Sequence, residues 1–398
     1  MTQAPHANLK VLELARILAG PWIGQTLADL GADVIKVESP QGDDTRRWGP
    51  PFIEYADGGS DAAYFHACNR GKRSITVDFS DEGGRDIVRR LVAQADVLIE
   101  NFKVGGLARY GLDYESLRAL NPKLIYCSVT GFGQTGPYAH RAGYDFIIQG
   151  MGGIMHLTGE TAGEPQKTGV AFADIFTGLY GVIAIQAALA RRARTGVGEY
   201  IDMALLDSMV GVLGNQAMSF LATGISPVRM GNAHPNIAPY QLFSTSDGPF
   251  ILAVGNDAQF RRFCSLMRLD GVADDARYHD NKARVANRAS LALLIEAQTR
   301  EWRRDALLSA LEGIGVPAGP INDIAQVFAD AQVVARGMQI GVGDRSDNAF
   351  SGVRSPIWMG DGPQWAAGGS PRLDADRASI LAEIGLNPKF ELDGIDEA

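Results

Sequence analysis

The sequence predicts an α/β fold: a parallel, doubly wound sheet in a large domain, joined to a smaller α+β domain. Two observations carry this. The first half alternates short Val- and Ile-rich runs with amphipathic stretches, the pattern of βαβ units whose strands are covered on both faces. After about Gly224 the pattern changes to a hairpin signal followed by several helical stretches.

The elements follow in order. Lys10-Val-Leu-Glu-Leu-Ala reads as a strand. Pro21 to Leu30 reads as a helix, with Pro in its first turn and Gly31 at its end. Asp33-Val-Ile-Lys-Val-Glu and Ser74-Ile-Thr-Val-Asp-Phe are the next strands. Ser80 is placed as the cap of a helix running through Ala95, with Ile87, Leu91 and Val92 on one face. Asp96 to Phe102 and Leu124 to Thr130 are two further strands. A long apolar helix is expected from about Ile175 to Arg194, where a basic last turn and Gly196 stop it. Tyr240 to Thr245 and Pro249 to Val254 flank Asp247-Gly248, a hairpin turn signal. Helices are expected near 258–268, 289–301, 305–313 and 375–385. The domain reading is therefore 1–205 for the first part of the large domain, 206–224 for a linker helix and 225–320 for the small domain. Residues 321–398 are read as a linker and C-terminal segment that returns to the large domain.

The chain has 398 residues and a formal net charge of −9, with a pI of about 5.2. An acidic surface repels nucleic acid and anionic membranes, so neither is expected as a partner, and an anionic ligand must meet a local cluster of cations. Cys68, Cys127 and Cys264 are too few and too scattered for a disulfide framework or a CxxC metal site. The six histidines have no paired metal spacing, so no metal is expected. The N-terminus lacks a signal peptide pattern, and the apolar run near 179–190 is too short to span a bilayer. A cytoplasmic location is the resulting expectation. There is no GxGxxG after a strand, since Gly150-Met-Gly-Gly-Ile-Met fails at the last position. GxxxxGK[ST], HExxH and GxSxG are also absent.

Two features point to chemistry. Asp174 is the only charge in Thr168 to Gly178, and an almost wholly apolar stretch follows it. A buried carboxylate without partners is costly. Either it caps the following helix, or it is exposed in a cleft as a reactive group, and a cap position serves both. Basic residues gather at predicted strand ends: Arg46-Arg47, Arg70-Gly-Lys72-Arg73, Arg109 after Gly105-Gly106, and Arg141 after the loop Gly131 to Pro137. Ligands of open α/β sheets bind beside the carboxyl ends of the strands. With the neighbouring glycines these clusters suggest a site for an extended polyphosphate, against the alternative of solvated surface charge.

At this point the chain resembles the family III CoA-transferases. The matching segments include Ala19-Gly-Pro21, Leu30 to Glu38, Asp44 to Pro51, Asn69 to Ile75, Glu100-Asn-Phe102, Gly131 to Pro137, Ala142-Gly-Tyr-Asp145, Asp174 to Gly178, Thr195 to Gly198 and Gly315 to Pro320. The resemblance implies a nucleotide-binding-type domain to which the C-terminal segment returns, a small domain, and a homodimer of two interlocked chains. It implies Asp174 as the nucleophile that forms an anhydride and then a CoA thioester. An unperturbed Asp is ionised at neutral pH and needs no activating base. It implies a CoA site lined by Ala19, Lys72, Asn101, Phe102, Arg109, Arg141 and Tyr144, with Lys72, Arg109 and Arg141 facing the phosphates. Coenzyme A enters as a co-substrate, and no tightly bound cofactor is expected.

Related racemases place a His where this chain has Tyr144, and a phenol with a pKa of about 10 is a poor substitute for that base. The stretches Gly231 to Tyr240 and Val254 to Asp257 look like the members that use succinyl-CoA and a dicarboxylate such as glutarate. The oxalate-type transferases, the other alternative, carry a glycine run near Val254 to Asp257 and Gln at the position of Leu18. Trp48, Asp145, His234 and Asn256 are the candidate substrate residues. His234 or Arg229 is expected either to pair a distal carboxylate or only to order its loop.

Overall fold

The computed structural model describes residues 4–56, 58–342, 350–360 and 362–387. The chain divides into two compact units. The first holds residues up to 154, 167–224 and 332 onward; the second holds 155–166 and 225–331.

The first unit is built on a six-stranded sheet. Its strands are β1 (Lys10–Glu13), β2 (Asp33–Glu38), β3 (Arg73–Thr76), β4 (Val97–Glu100), β5 (Ile125–Thr130) and β6 (Glu199–Ala204). They lie in the order β3-β2-β1-β4-β5-β6, and every pairing is parallel. The doubly wound reading therefore holds. The chain moves outward from β1 to β3 and restarts from β4 on the other side. The switch in strand order falls between β1 and β4, where two loops part and leave a crevice.

Helix α1 (Ala19–Asp29) starts two residues before the expected Pro21. Helix α2 (Glu82–Gln94) is capped by Asp81, which accepts the Gly84 N–H at 2.5 Å, and not by Ser80. Tyr114–Leu120 forms helix α3 and Asp145–Met151 helix α4. The long helix α5 is Phe172–Thr195, and Gly196, at φ 73°, closes it in the left-handed conformation. Its 24 residues reach membrane-spanning length and apolarity, beyond the shorter apolar run read from the sequence. It packs instead as a core helix on α1, burying Ile185 and Ala188 with Ile23 and Leu27 of α1. Gly181 permits this approach, since a Cβ there would stand 2.5 Å from Ile23.

The stretch expected as one linker helix, 206–224, forms two helices, Leu205–Gly211 and Gly214–Thr223, within the first unit. Near the C-terminus, Asp374 and Asp376 accept the Thr76 and Ser74 N–H groups at 2.7 and 2.9 Å, and Arg377 donates to Thr76 O. That segment therefore covers the β3 edge.

In the second unit, β7 (Tyr240–Ser244), β8 (Pro249–Ala253) and β9 (Ala318–Pro320) form an antiparallel sheet. Phe243, Phe250, Phe260, Phe263 and Leu307 make its core. Residues 155–166 join this unit instead of the large one, because Arg229 donates to His156 O and Gly163 O.

Candidate active site

The switch-point crevice is closed by a reciprocal clasp. Asn101, just past β4, accepts the Arg16 N–H at 3.0 Å and donates to Arg16 O at 2.7 Å. Phe102 N donates to Glu100, so the chain turns sharply out of β4. Glu100 is buried, also receives the Ser128 hydroxyl, and is pushed up to about 7 by burial. It props this wall from inside the sheet. Glu100 falls in a segment that carries the family resemblance, but this bracing role was not legible, because its partner Ser128 lies on another strand.

Asp174 is the third residue of α5, in the first turn, and Ala171 is the residue before the helix. It is not the cap. Asp145, at the start of α4, accepts the Ala173 N–H at 2.9 Å and serves in that place. Asp145 itself is held by Gln149 Nε2 at 2.7 Å. The Asp174 carboxylate makes no hydrogen bond to the described residues and lines a cleft of about 360 Å³. Gly178, one turn on, lets α1 come close: a Cβ there would stand 3.1 Å from Ala19 O. The start of α1 is thereby brought to the same cleft, with Leu18 and Ala19 in its wall. Gly131 and Gly143 do the same for the loop after β5, touching backbone to backbone.

Burial, and then the charge of Asp145, push the Asp174 carboxyl up to about 7. The expectation of a fully ionised nucleophile at neutral pH is corrected accordingly. The same seclusion that leaves it without a partner among the described residues draws its titration up toward neutral pH.

Of the residues expected around CoA, the structure gathers Ala19, Asn101, Phe102, Arg109, Arg141 and Tyr144 around the cleft that holds Asp174 and Asp145. Arg16, Lys103 and His140 join them, unforeseen from sequence. Arg109 and Arg141 pair with no acid among the described residues. Their guanidinium groups lie over Tyr110 and Tyr138, 4.5 and 4.0 Å from the ring centres. Arg16, Phe102 and Arg109 also wall a second cleft of about 480 Å³, which runs on past Ser39 to Asp44 and Asp78 to Ser80.

Lys72 is different. Its side chain is fully enclosed, with Nζ donating to Glu13, Pro21 O and Asn69 at 2.8 to 2.9 Å. It lies behind β1, held by neighbouring elements, and does not reach the cleft. Gly24 makes room for this group: a Cβ there would meet Glu13 Oε2 at 1.8 Å. Arg46 binds Glu38 and Asp61, Arg70 binds Asp29, and Arg73 binds Asp33 and Glu383. These three arginines are taken up by acids from other elements, while the exposed Arg47 stands 3.9 Å from Asp44 of its own turn.

Trp48 is half exposed and stacks edge-on against Tyr64, with ring centres 5.5 Å apart. Burial, and then the charge of Asp174, push the Tyr64 hydroxyl up to about 12. Trp48 and Tyr64 are not among the residues that line the cleft holding Asp174. In the second unit, His234 accepts the Asn236 N–H and packs on Tyr240, while Arg288 donates to His234 O. Asn256 caps the helix Asp257–Leu266, accepting the Gln259 N–H at 2.9 Å. Arg229 is occupied by two backbone carbonyls of its own unit. All three side chains have local structural work. The described residues hold no cluster of His, Cys, Asp and Glu suited to a metal.

The fold and this cleft define an α/β enzyme that presents a secluded carboxylate beside arginines that pair with no acid among the described residues, at the switch point of a parallel sheet. The chain belongs to CoA-transferase family III, which residues 7–377 match. It is 58% identical over 382 residues to a succinate–glutarate CoA-transferase of Agrobacterium fabrum, covering 96% of each chain. It is 44% identical over 335 residues to a succinyl-CoA:glutarate CoA-transferase of Mus musculus, covering 84% of this chain and 76% of that one. The crystal structure of a CaiB/BaiF family protein from Brucella suis superposes with a TM-score of 0.87 at 65% identity, over 96% of this chain and 100% of that chain. The protein is thus a family III CoA-transferase, with acyl-CoA as co-substrate.

Proposed function

We propose that the protein transfers CoA from succinyl-CoA to a dicarboxylic acid of the size of glutarate, with Asp174 as the covalent relay. The observation that carries this is the placement of Asp174: a carboxylate in a cleft that, among the described residues, has no hydrogen-bond partner and stands beside arginines that pair with no acid. The names of the relatives in Agrobacterium and mouse support the acid.

The chemistry balances in four steps. Ionised Asp174 attacks the thioester carbonyl of succinyl-CoA, forming a mixed anhydride and releasing the CoA thiolate. The thiolate attacks the Asp174 carbonyl, giving an aspartyl-CoA thioester and free succinate. The acceptor carboxylate attacks that thioester, forming a second anhydride and releasing the thiolate again. The thiolate then attacks the acceptor's acyl carbon, which yields the new acyl-CoA and restores the aspartate. The thiolate must stay in place through all four steps. Arg109 and Arg141 suit the anionic end of CoA, and the joined clefts of about 480 and 360 Å³ suit its length. The amides that open α1, beside Leu18 and Ala19, suit the oxyanion that develops at each attack. Tyr144 is exposed at the cleft, and as a phenol it is unsuited to α-proton abstraction, which argues against a racemase.

A homodimer belongs to the same proposal. Leu179, Tyr180 and Ile183 of α5, and Met218, Phe220 and Leu221 of the helix Gly214–Thr223, are exposed in the single chain. An apolar surface of this kind calls for a partner, and a second copy is the one proposed. Sedimentation at twice the chain mass is the expected result, and sedimentation as a monomer is against it.

Incubation with succinyl-CoA and a panel of carboxylic acids tests the substrate assignment. Glutarate is expected to give glutaryl-CoA and free succinate faster than oxalate gives oxalyl-CoA. Failure to form glutaryl-CoA would refute the acceptor, and solvent deuterium entering the α-carbon of a 2-methylacyl-CoA without transfer would favour a racemase.

A further inference from the structure

Three described non-glycine residues have left-handed backbone: Ile17, Arg268 and Asp374. Of these, Ile17 stands in the wall of the reactive cleft, at φ 74°. A β-branched side chain crowds its own backbone in that region, so the conformation persists only where the surroundings enforce it.

The surroundings are specific. Ile17 N donates to both carboxylate oxygens of Asp43 at 3.3 Å, and Ile17 O accepts from the Cys68 thiol at 3.5 Å. Asp43 is buried and is fixed in turn by the Thr45 N–H at 3.0 Å and the Thr45 hydroxyl at 2.8 Å. Lys36 Nζ stands 2.9 Å from Asp43 and also donates to Ala15 O at 2.9 Å. Lys36 thus grips the loop just before the strained residue, directly at Ala15, and through Asp43 at Ile17 itself. Immediately after Ile17 come Leu18 and Ala19, the turn that opens α1 toward Asp174.

We propose that Asp43, braced by Lys36, is a positioning residue for acyl transfer: it holds Ile17 in the left-handed conformation and so aims the Leu18–Ala19 turn at the thioester beside Asp174. Asp43 borders the second cleft, but its carboxylate is wholly enclosed by its partners and faces no substrate in this scheme. Its effect passes through the backbone of Ile17, and a glycine at that position would adopt the same conformation without being forced. The inference rests on Asp174 as the nucleophile and adds the device that sets the opposite wall.

The test compares Asp43→Ala, Ile17→Gly and the double variant with the parent enzyme, after thermal melting has shown that each is folded. Asp43→Ala is expected to lower kcat about 100-fold, the scale of an ångström-sized misplacement, with KM for succinyl-CoA changed only a few-fold. Adding Ile17→Gly is expected to restore kcat at least about tenfold, a coupling that independent sites do not show. A merely structural role for Asp43 gives no such rescue. A double variant as slow as, or slower than, Asp43→Ala overturns the proposal, as does an unchanged kcat in Asp43→Ala. If Asp43→Ala does not fold, Asp43→Asn keeps the shape and one acceptor. A smaller loss, again relieved by Ile17→Gly, is then expected, and no relief overturns the proposal. Failure of the nucleophile assignment reads out separately, as transfer that survives Asp174→Asn.

Discussion

Asp174→Asn is expected to raise the stability of the protein, and to raise it more as the pH increases from 5 to 8, while abolishing CoA transfer. The physical reason is the carboxyl pushed up to about 7 from an ordinary 3.8 by burial and by Asp145. Between those two values the folded protein holds a proton that the unfolded chain has lost. Stability therefore falls as pH rises through this window, and the full cost is present above about pH 7. A shift of this size corresponds to roughly 2–4 kcal/mol, allowing for the solvent that reaches the open side of the cleft. Asn carries no charge to desolvate and recovers that energy. Below about pH 4 the two proteins should melt alike. Thermal melting across pH checks this directly; a constant difference, or a less stable variant at pH 8, contradicts it. The parent enzyme's rate of attack on acyl-CoA should follow the same titration in reverse, rising about tenfold per pH unit below 7 and levelling above it.

Lys72→Met is expected to cost about 3–5 kcal/mol of stability, the usual penalty for removing one partner of a buried charge pair. Glu13 would keep only Lys36, at 3.0 Å, and the Pro21 carbonyl and Asn69 would each lose a donor. In whatever fraction folds, KM for succinyl-CoA should change only a few-fold. Arg109→Ala and Arg141→Ala should show the opposite split: little change in melting, and KM raised about tenfold or more, as expected for charge-assisted phosphate contacts. Denaturant unfolding and steady-state kinetics on the same preparations decide between them. A stable Lys72→Met enzyme with a large KM would mean that this ammonium reaches the phosphates after all.

The contrast between Lys72 and Arg109 shows where the sequence could be read and where it could not. Strand and helix periodicity is local, so β1 to β5 and most of α1, α2 and α5 were legible from a dozen residues at a time. The strand β6, Glu199–Ala204, was missed. It follows directly on a helix and mixes Glu and Asp with its apolar residues, so it lacks a buried strand's continuous run. Partners are not local. Arg46, Arg70, Lys72 and Arg73 look like a phosphate site until Glu38, Asp29, Glu13 and Asp33 arrive from other elements to neutralise them. The same holds for Asp174. Its place at the start of a helix was legible, though the helix begins at Phe172 and not at about Ile175, and the cap reading followed from the usual preference of Asp. The residue that fills that role, Asp145, lies 29 positions earlier. Having yielded the cap, Asp174 is left with nothing to bond, which is the condition that lifts its pKa and opens it to the cleft.

The most direct test of the account is chemical capture of the relay. The enzyme is incubated with succinyl-CoA, quenched with hydroxylamine, and digested for peptide mass analysis. A hydroxamate on Asp174 is the predicted result. It should be absent without acyl-CoA, absent in Asp174→Asn, and suppressed when glutarate drains the thioester to product. Steady transfer with no adduct on Asp174, or an adduct on a different carboxylate, would contradict the central claim.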